Sequence, residues 1–180
     1  MPASSLDDFY AAIHDVPDFP TPGVVFRDIT PLLADPALFR LVIARMADPF
    51  RDAGITKILG IESRGFILGG PISLELGAGL VPARKEGKLP RERHRVEYTL
   101  EYGSAAIEVH TDAVDVHDRV LIVDDVLATG GTARAARDTI EMSGGTVAGF
   151  SFLIEIAPLD GRAKLPGDQL EALITYPRPS

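Results

Sequence analysis

At 180 residues, with 46% hydrophobic and 24% charged side chains, the chain has an ordinary globular composition and is long enough for one sizeable core. Its formal net charge of -8 argues against a general nucleic-acid binder, which needs a basic surface to displace counterions from phosphates. With no cysteine it has no disulfides, thiolate metal sites or thiol nucleophiles, and its most apolar stretch, Gly65 to Leu74, is too short to span a bilayer.

The N-terminus runs from Met1 through Leu6 straight into Asp7 and Asp8, without the basic and apolar regions of a signal peptide, which points to the cytoplasm. A short helix is expected from Ser5, with both aspartates at its positive end. Pro17 to Gly23 holds three prolines and reads as a rigid, extended stretch. Asp35-Pro36 opens a second helix, cap then proline, whose apolar positions Leu38, Phe39, Val42, Ile43, Met46 and Phe50 recur at helical spacing until Gly54.

Lys57 to Ile61 reads as a buried strand, Glu62 to Gly65 as a turn and the following segment to Leu76 as a helix. Leu80 to Arg84 is another strand. Glu86 to Arg95, crowded with charge and carrying Pro90, reads as an exposed, mobile loop. Val96 to Tyr102 and Ser104 to His110 flank Gly103 as an antiparallel ribbon. Arg119 to Val123 is the clearest strand, its helix ends near Gly144-Gly145, and Thr146 to Ile154 is the next strand. Strands alternating with helices predict an α/β fold with a parallel sheet, ligands at the carboxyl ends of its strands, and residues 1–34 as an appendage on a core of 35–180.

The chemistry concentrates in Val120-Leu-Ile-Val-Asp-Asp-Val-Leu-Ala-Thr-Gly-Gly-Thr132. Four apolar residues make a strand buried on both faces, and Asp124 and Asp125 follow at its carboxyl end. Ala128, Gly130 and Gly131 then leave backbone amides uncovered, while Thr129 and Thr132 add hydroxyl donors. Such a turn at a helix N-terminus cradles a monophosphate through its amides and the helix dipole. The two carboxylates suit a pair of ribose hydroxyls, so the run fits a ribose 5-phosphate better than a triphosphate. A side chain at Gly130 is expected to occupy the phosphate's place. A Walker B reading of the strand lacks its GxxxxGK[ST] loop, and there is no GxGxxG fingerprint.

This run resembles the phosphoribosyl diphosphate signature of type I phosphoribosyltransferases, and four further segments resemble the adenine phosphoribosyltransferase family over nearly the whole chain. Asp18-Phe-Pro-Thr-Pro-Gly-Val-Val-Phe-Arg-Asp-Ile-Thr-Pro31 is similar to that family's N-terminal hood. The resemblance implies that backbone groups of Val25 and Arg27 bond the adenine edge and that Phe26 lies against the ring. Taken without the resemblance, Phe26 reads as core and Arg27 as a surface ion-pair partner. Glu62-Ser-Arg-Gly-Phe66 resembles the diphosphate loop, with Arg64 on the diphosphate oxygens and a non-proline cis peptide falling at Glu62–Ser63. Arg84-Lys-Glu-Gly-Lys-Leu-Pro90 matches another family pattern, in which Arg84 and Lys88 contact diphosphate, sometimes across a homodimer.

Tyr98-Thr-Leu-Glu-Tyr-Gly103 resembles the closing lid, a flexible β-ribbon spanning 85–103, and makes Glu101 the acidic catalytic residue near the adenine ring. Without the resemblance Glu101 is an exposed strand residue. Ile156 is implied to cover the other adenine face and reads equally well as simple core. Lys85, Arg91, Arg93, His94 and Arg95 read as a solvated loop. His110, Asp112, Asp115, His117 and Asp118 read as a solvated connection rather than a metal site.

The resemblance implies transfer of a phosphoribosyl group to adenine, with Mg²⁺ held mainly by substrate oxygens and water rather than by protein ligands. It also implies a homodimer whose partners are the small-molecule substrates; the acidic charge and the short apolar stretch already argue against nucleic acid and membrane as partners. Two other readings stay open: action on hypoxanthine, guanine, xanthine or orotate, which the hood and the Leu-Glu-Tyr-Gly segment disfavour, and a non-catalytic ligand sensor.

Overall fold

The computed structural model describes residues 5–99 and 103–177. Helix α1 (Leu6–Ala11) begins where the Asp8 carboxylate accepts the Ser5 amide at 2.7 Å. It leads into an antiparallel hairpin of β1 (His14–Pro17) and β2 (Val25–Asp28), in which Pro17 faces Val25 and Asp15 faces Arg27. The proline-rich stretch is therefore the tip of a hairpin, closed by Asp18 accepting the Gly23 amide at 2.7 Å.

After α2 (Thr30–Ala34), helix α3 (Pro36–Ala47) starts as expected: one oxygen of Asp35 accepts the amides of Ala37 and Leu38 at 2.8 and 3.0 Å. Its end differs from expectation. The helix tightens into a 3₁₀ turn over Asp48–Phe50, well before Gly54, because Pro49 lacks the amide needed to continue it. Val42, Met46 and Phe50 are nonetheless buried on one face.

The main sheet comprises β3 (Lys57–Ile61), β4 (Gly79–Lys85), β5 (Arg93–Thr99), β6 (Ser104–His110), β7 (Arg119–Leu127), β8 (Thr146–Ile156) and β9 (Leu170–Tyr176). Their order across the sheet is β5-β6-β4-β3-β7-β8-β9. β4, β3, β7, β8 and β9 are parallel to their neighbours among themselves, whereas β5 and β6 form an antiparallel ribbon added on at β4. Helices α4 (Arg64–Leu76) and α5 (Gly131–Met142) make the crossovers that parallel pairing demands.

Both faces of the sheet are covered, which is why β7 reads as a continuous apolar run. Val120 and Ile122 point into a core shared with Ala136 and Ile140 of α5. Leu121 and Val123 point the other way, into a core shared with α3, α4 and the N-terminal residues Phe9, Ile29 and Leu32. Each of these four strand residues is fully buried, a contribution of about 1.5–3 kcal/mol apiece.

Two strand boundaries and one whole strand depart from the sequence reading. β5 starts at Arg93, inside the stretch read as loop, and β7 continues through Asp124 and Asp125 to Leu127, opposite Glu155. Strand β9 was not expected at all. It pairs with β8 and brings Tyr176 beside Ile156. Among the described residues, no helix is long and apolar enough to cross a membrane.

Candidate functional site

The carboxyl ends of β3, β4, β7 and β8 lead into Arg64, Arg84, Asp124–Asp125 and Ile156 respectively, so the topology gathers the expected site residues along one edge of the sheet. Asp124 lines a cavity of about 70 Å³ with Ala128, Thr129, Gly130, Gly131 and Thr132, the residues expected to cradle a phosphate. Gly130 adopts φ +75°, a left-handed conformation that permits the sharp entry into α5. The N-cap residue of α5 is Gly130, which offers no side chain to cap the helix, so first-turn amides and the positive end of the dipole are suited to an anion.

The backbone gives a reason for glycine at 130 that the sequence did not: a Cβ there would collide with the backbone carbonyl of Gly161, which packs against the turn. A further close approach lies at Gly65, where a Cβ would fall 2.7 Å from the Val123 carbonyl oxygen and 3.1 Å from Oδ1 of Asp124. The N-terminus of α4 thus rests directly on the end of β7, bringing the Arg64 loop and the two acids together. The Glu62–Ser63 peptide preceding it is cis, at the expected position.

Asp124 and Asp125 have different surroundings. Asp125 is 4% exposed and accepts a hydrogen bond from Nε of Arg64. Asp124 accepts the Asp125 amide at 2.9 Å. Removal from water raises the Asp124 carboxyl well above its ordinary value, and the neighbouring Asp125 charge raises it further. A buried carboxyl raised in this way beside a second acid suits a site whose ligand brings hydroxyl donors and positive charge.

The basic residues expected on the diphosphate fall into two groups. Arg64 sits with Asp125. Arg84 and Lys88 instead converge on Glu62, which accepts Lys88 Nζ at 2.5 Å, the Lys85 amide at 2.9 Å and Arg84 Nε at 3.2 Å. Burial alone would raise the Glu62 pKa, but Lys88, the Lys85 amide and Arg84 more than offset it and hold it at about 2. Glu62 lies inside a recognised segment yet received no role in the sequence reading. An acid closing a strand two residues before an arginine was the available signal.

The β1–β2 hairpin approaches Arg64 through Phe26, whose ring centroid is 5.3 Å from the Arg64 guanidinium carbon and 5.3 Å from the Phe19 ring. Val25 pairs with Pro17 in the hairpin, and Ile156 is partly buried against the core. Arg27 is no simple surface ion-pair partner. It pairs with Asp15 and also lays its guanidinium carbon 4.0 Å from the Tyr176 ring centroid, anchoring the hood to β9. Tyr10 adds a second anchor, its hydroxyl donating to the Thr175 carbonyl at 2.8 Å and accepting the Thr175 amide at 3.1 Å. Glu101, the expected catalytic acid, lies outside the described residues.

Arg91 and Arg95 pair with exposed acids, as a solvated loop implies, but Arg93 forms an ion pair with Glu108, which is 1% exposed. The histidine–aspartate run before β7 is engaged in local structure. Asp118 accepts Thr56 Oγ1 at 2.7 Å and the Asp115 amide at 3.1 Å, and Asp115 accepts the His117 amide at 2.8 Å.

Residues 28–164 match the family model described as the phosphoribosyl transferase domain. The adenine phosphoribosyltransferase of Acidothermus cellulolyticus is 50% identical over 97% of this chain and 99% of its own length. Among solved structures, the adenine phosphoribosyltransferase of Rhodothermus marinus has a TM-score of 0.91 at 51% identity, covering 94% of this chain and 97% of that one. That of Saccharomyces cerevisiae, solved with adenine and an imino-altritol bisphosphate, has a TM-score of 0.88 at 37% identity, covering 94% and 98%.

Proposed function

The chain belongs to the adenine phosphoribosyltransferase family, and we infer that it is an AMP-forming enzyme of purine salvage, converting adenine and 5-phosphoribosyl 1-diphosphate to AMP and diphosphate. The observation that carries the division of labour is the uncapped N-terminus of α5 beside two adjacent carboxylates on β7.

In this reading the 5-phosphate lies on the amides of Ala128 to Thr132, with Thr129 and Thr132 adding hydroxyl donors. Asp124 and Asp125 accept the ribose hydroxyls. Arg64, Arg84 and Lys88 take the diphosphate, whose departure as a leaving group requires its charge to be neutralised. Adenine lies in the hood, its edge on backbone groups of Val25 and Arg27 and its faces against Phe26 and Ile156. The bond from N9 to the anomeric carbon forms as the bond to diphosphate oxygen breaks, the diphosphate leaves with that electron pair, and N9 gives up its proton. Glu101 supplies a carboxylate at the base for that stage. Most of the rate enhancement comes from positioning and fixed charge.

Among the described residues no group of three or more histidines, aspartates or glutamates could hold a metal ion. A donor set limited to the Asp124–Asp125 pair fits Mg²⁺ carried on substrate oxygens and water, where it supplies further neutralisation of the diphosphate. A homodimer is supported by Ile67 and Leu74 along α4 and by Leu80 nearby, three large aliphatic side chains left exposed, Leu74 by 85%. The whole chain is read as one catalytic unit, hood 1–34 on core 35–180. A cytoplasmic setting agrees with its freedom from cysteine.

The direct assay is purified protein with Mg²⁺, phosphoribosyl diphosphate and a panel of adenine, hypoxanthine, guanine, xanthine and orotate. Nucleotide forms from adenine; formation from another base in preference to adenine would displace this reading.

A further inference from the structure

We propose that the Glu155–Arg162 ion pair is a positioning device for the phosphate cradle, acting through the backbone of Gly161. The proposal rests on the reading of the Ala128–Thr132 turn as the phosphate site.

Glu155 stands near the end of β8 with 8% of its surface exposed, and its carboxylate takes a two-pronged pair from Arg162. Nε reaches Oε1 at 2.7 Å and Nη2 reaches Oε2 at 2.9 Å, which fixes the plane of the guanidinium as well as its place. The remaining Nη1 donates to the Leu170 carbonyl at 3.0 Å, where β9 begins. Arg162 therefore ties the end of one strand to the start of the next and fixes the short turn Gly161–Lys164 between them.

That turn backs onto the cradle with no side chain in between. A Cβ on Gly161 would collide with the Ala128 carbonyl oxygen and lie 2.9 Å from Cδ1 of Leu127. Reciprocally, a Cβ on Gly130 would collide with the Gly161 carbonyl. Two backbones are thus in mutual contact through glycines, and one of them holds the left-handed residue that aims the first amides of α5. Gly161 cannot shift without releasing or pushing Gly130. Neither Glu155 nor Arg162 lines the cradle cavity, so their influence on it passes through this contact.

A pair that merely stabilised the fold would affect every ligand alike. A pair that aims the cradle affects the phosphate and spares the base. The test is calorimetric titration of ribose 5-phosphate and, separately, of adenine into the wild-type chain and into Arg162→Gln, Arg162→Lys and Gly161→Ala, with kcat, KM and melting temperature for each. We expect Arg162→Gln to weaken ribose 5-phosphate binding and raise KM for phosphoribosyl diphosphate by about tenfold, with adenine binding and kcat within about twofold. Arg162→Lys keeps the charge but loses the two-pronged geometry and falls between wild type and glutamine. It carries the test should the glutamine variant fail to fold. Gly161→Ala reproduces the phosphate-selective loss with the ion pair intact. Unchanged ribose 5-phosphate affinity in the folded variants, or an equal loss for adenine, would overturn the proposal. Failure of the wild-type chain to bind ribose 5-phosphate would overturn the cradle reading itself.

Discussion

Arg64 donates to the buried carboxylate of Asp125, so an arginine assigned to the diphosphate and an acid assigned to the ribose form one ion pair. In the proposed site, the two substrate groups assigned to them are joined at the anomeric carbon. Asp125→Asn keeps the shape but removes the charge, and Arg64, 39% exposed, remains solvated. Turnover with adenine is expected to fall at least about tenfold, equivalent to about 1.4 kcal/mol, with the fold intact by circular dichroism. Near-normal turnover would remove Asp125 from the site.

Glu101 is the proposed catalytic acid, as proton acceptor or as charge beside the base. Glu101→Ala should likewise lower kcat by about tenfold or more while leaving the binding of ribose 5-phosphate unchanged, because the proposed phosphate site is at the start of α5. Steady-state kinetics paired with ligand titration separates the two quantities.

The Glu62 carboxyl, at about 2 against an ordinary 4.5, links stability to pH. A lowered carboxyl contributes stability that is fully present above the ordinary value and lost as pH falls toward about 2. Glu62→Gln should therefore melt below wild type at pH 7, with the gap narrowing as pH drops below 4.5. A gap independent of pH would mean that Arg84 and Lys88 do not hold the charged form.

Gly130→Ala separates two explanations of the same glycine. With φ +75° and the Gly161 carbonyl in the way, alanine is expected to cost stability, about 1–3 kcal/mol, along with affinity for phosphoribosyl diphosphate. Loss of affinity at full thermal stability would restore the view that the side chain simply fills the phosphate's place.

Local features were the legible ones. The Asp35–Pro36 cap and the β3 strand each depend on a few consecutive residues and stand as read, and the strand and helix that flank Asp124 to Gly130 were legible in the same way, the strand running four residues further than expected. The misses involve partners remote in the chain. Tyr10 meets Thr175 across 165 positions, and β9 exists because β8 offers it an edge, which Leu170 and Ile174 alone do not announce. Arg93 looked solvated because its buried partner, Glu108, lies on the next strand. The role of Glu62 was hidden for the same reason: its three donors come from the end of β4 and the turn beyond.

The most direct measurement is a crystal structure of the protein with AMP. The account predicts the phosphate on the amides of Ala128 to Thr132, the ribose hydroxyls on Asp124 and Asp125, and the purine between Phe26 and Ile156. A phosphate bound away from the start of α5 would contradict it.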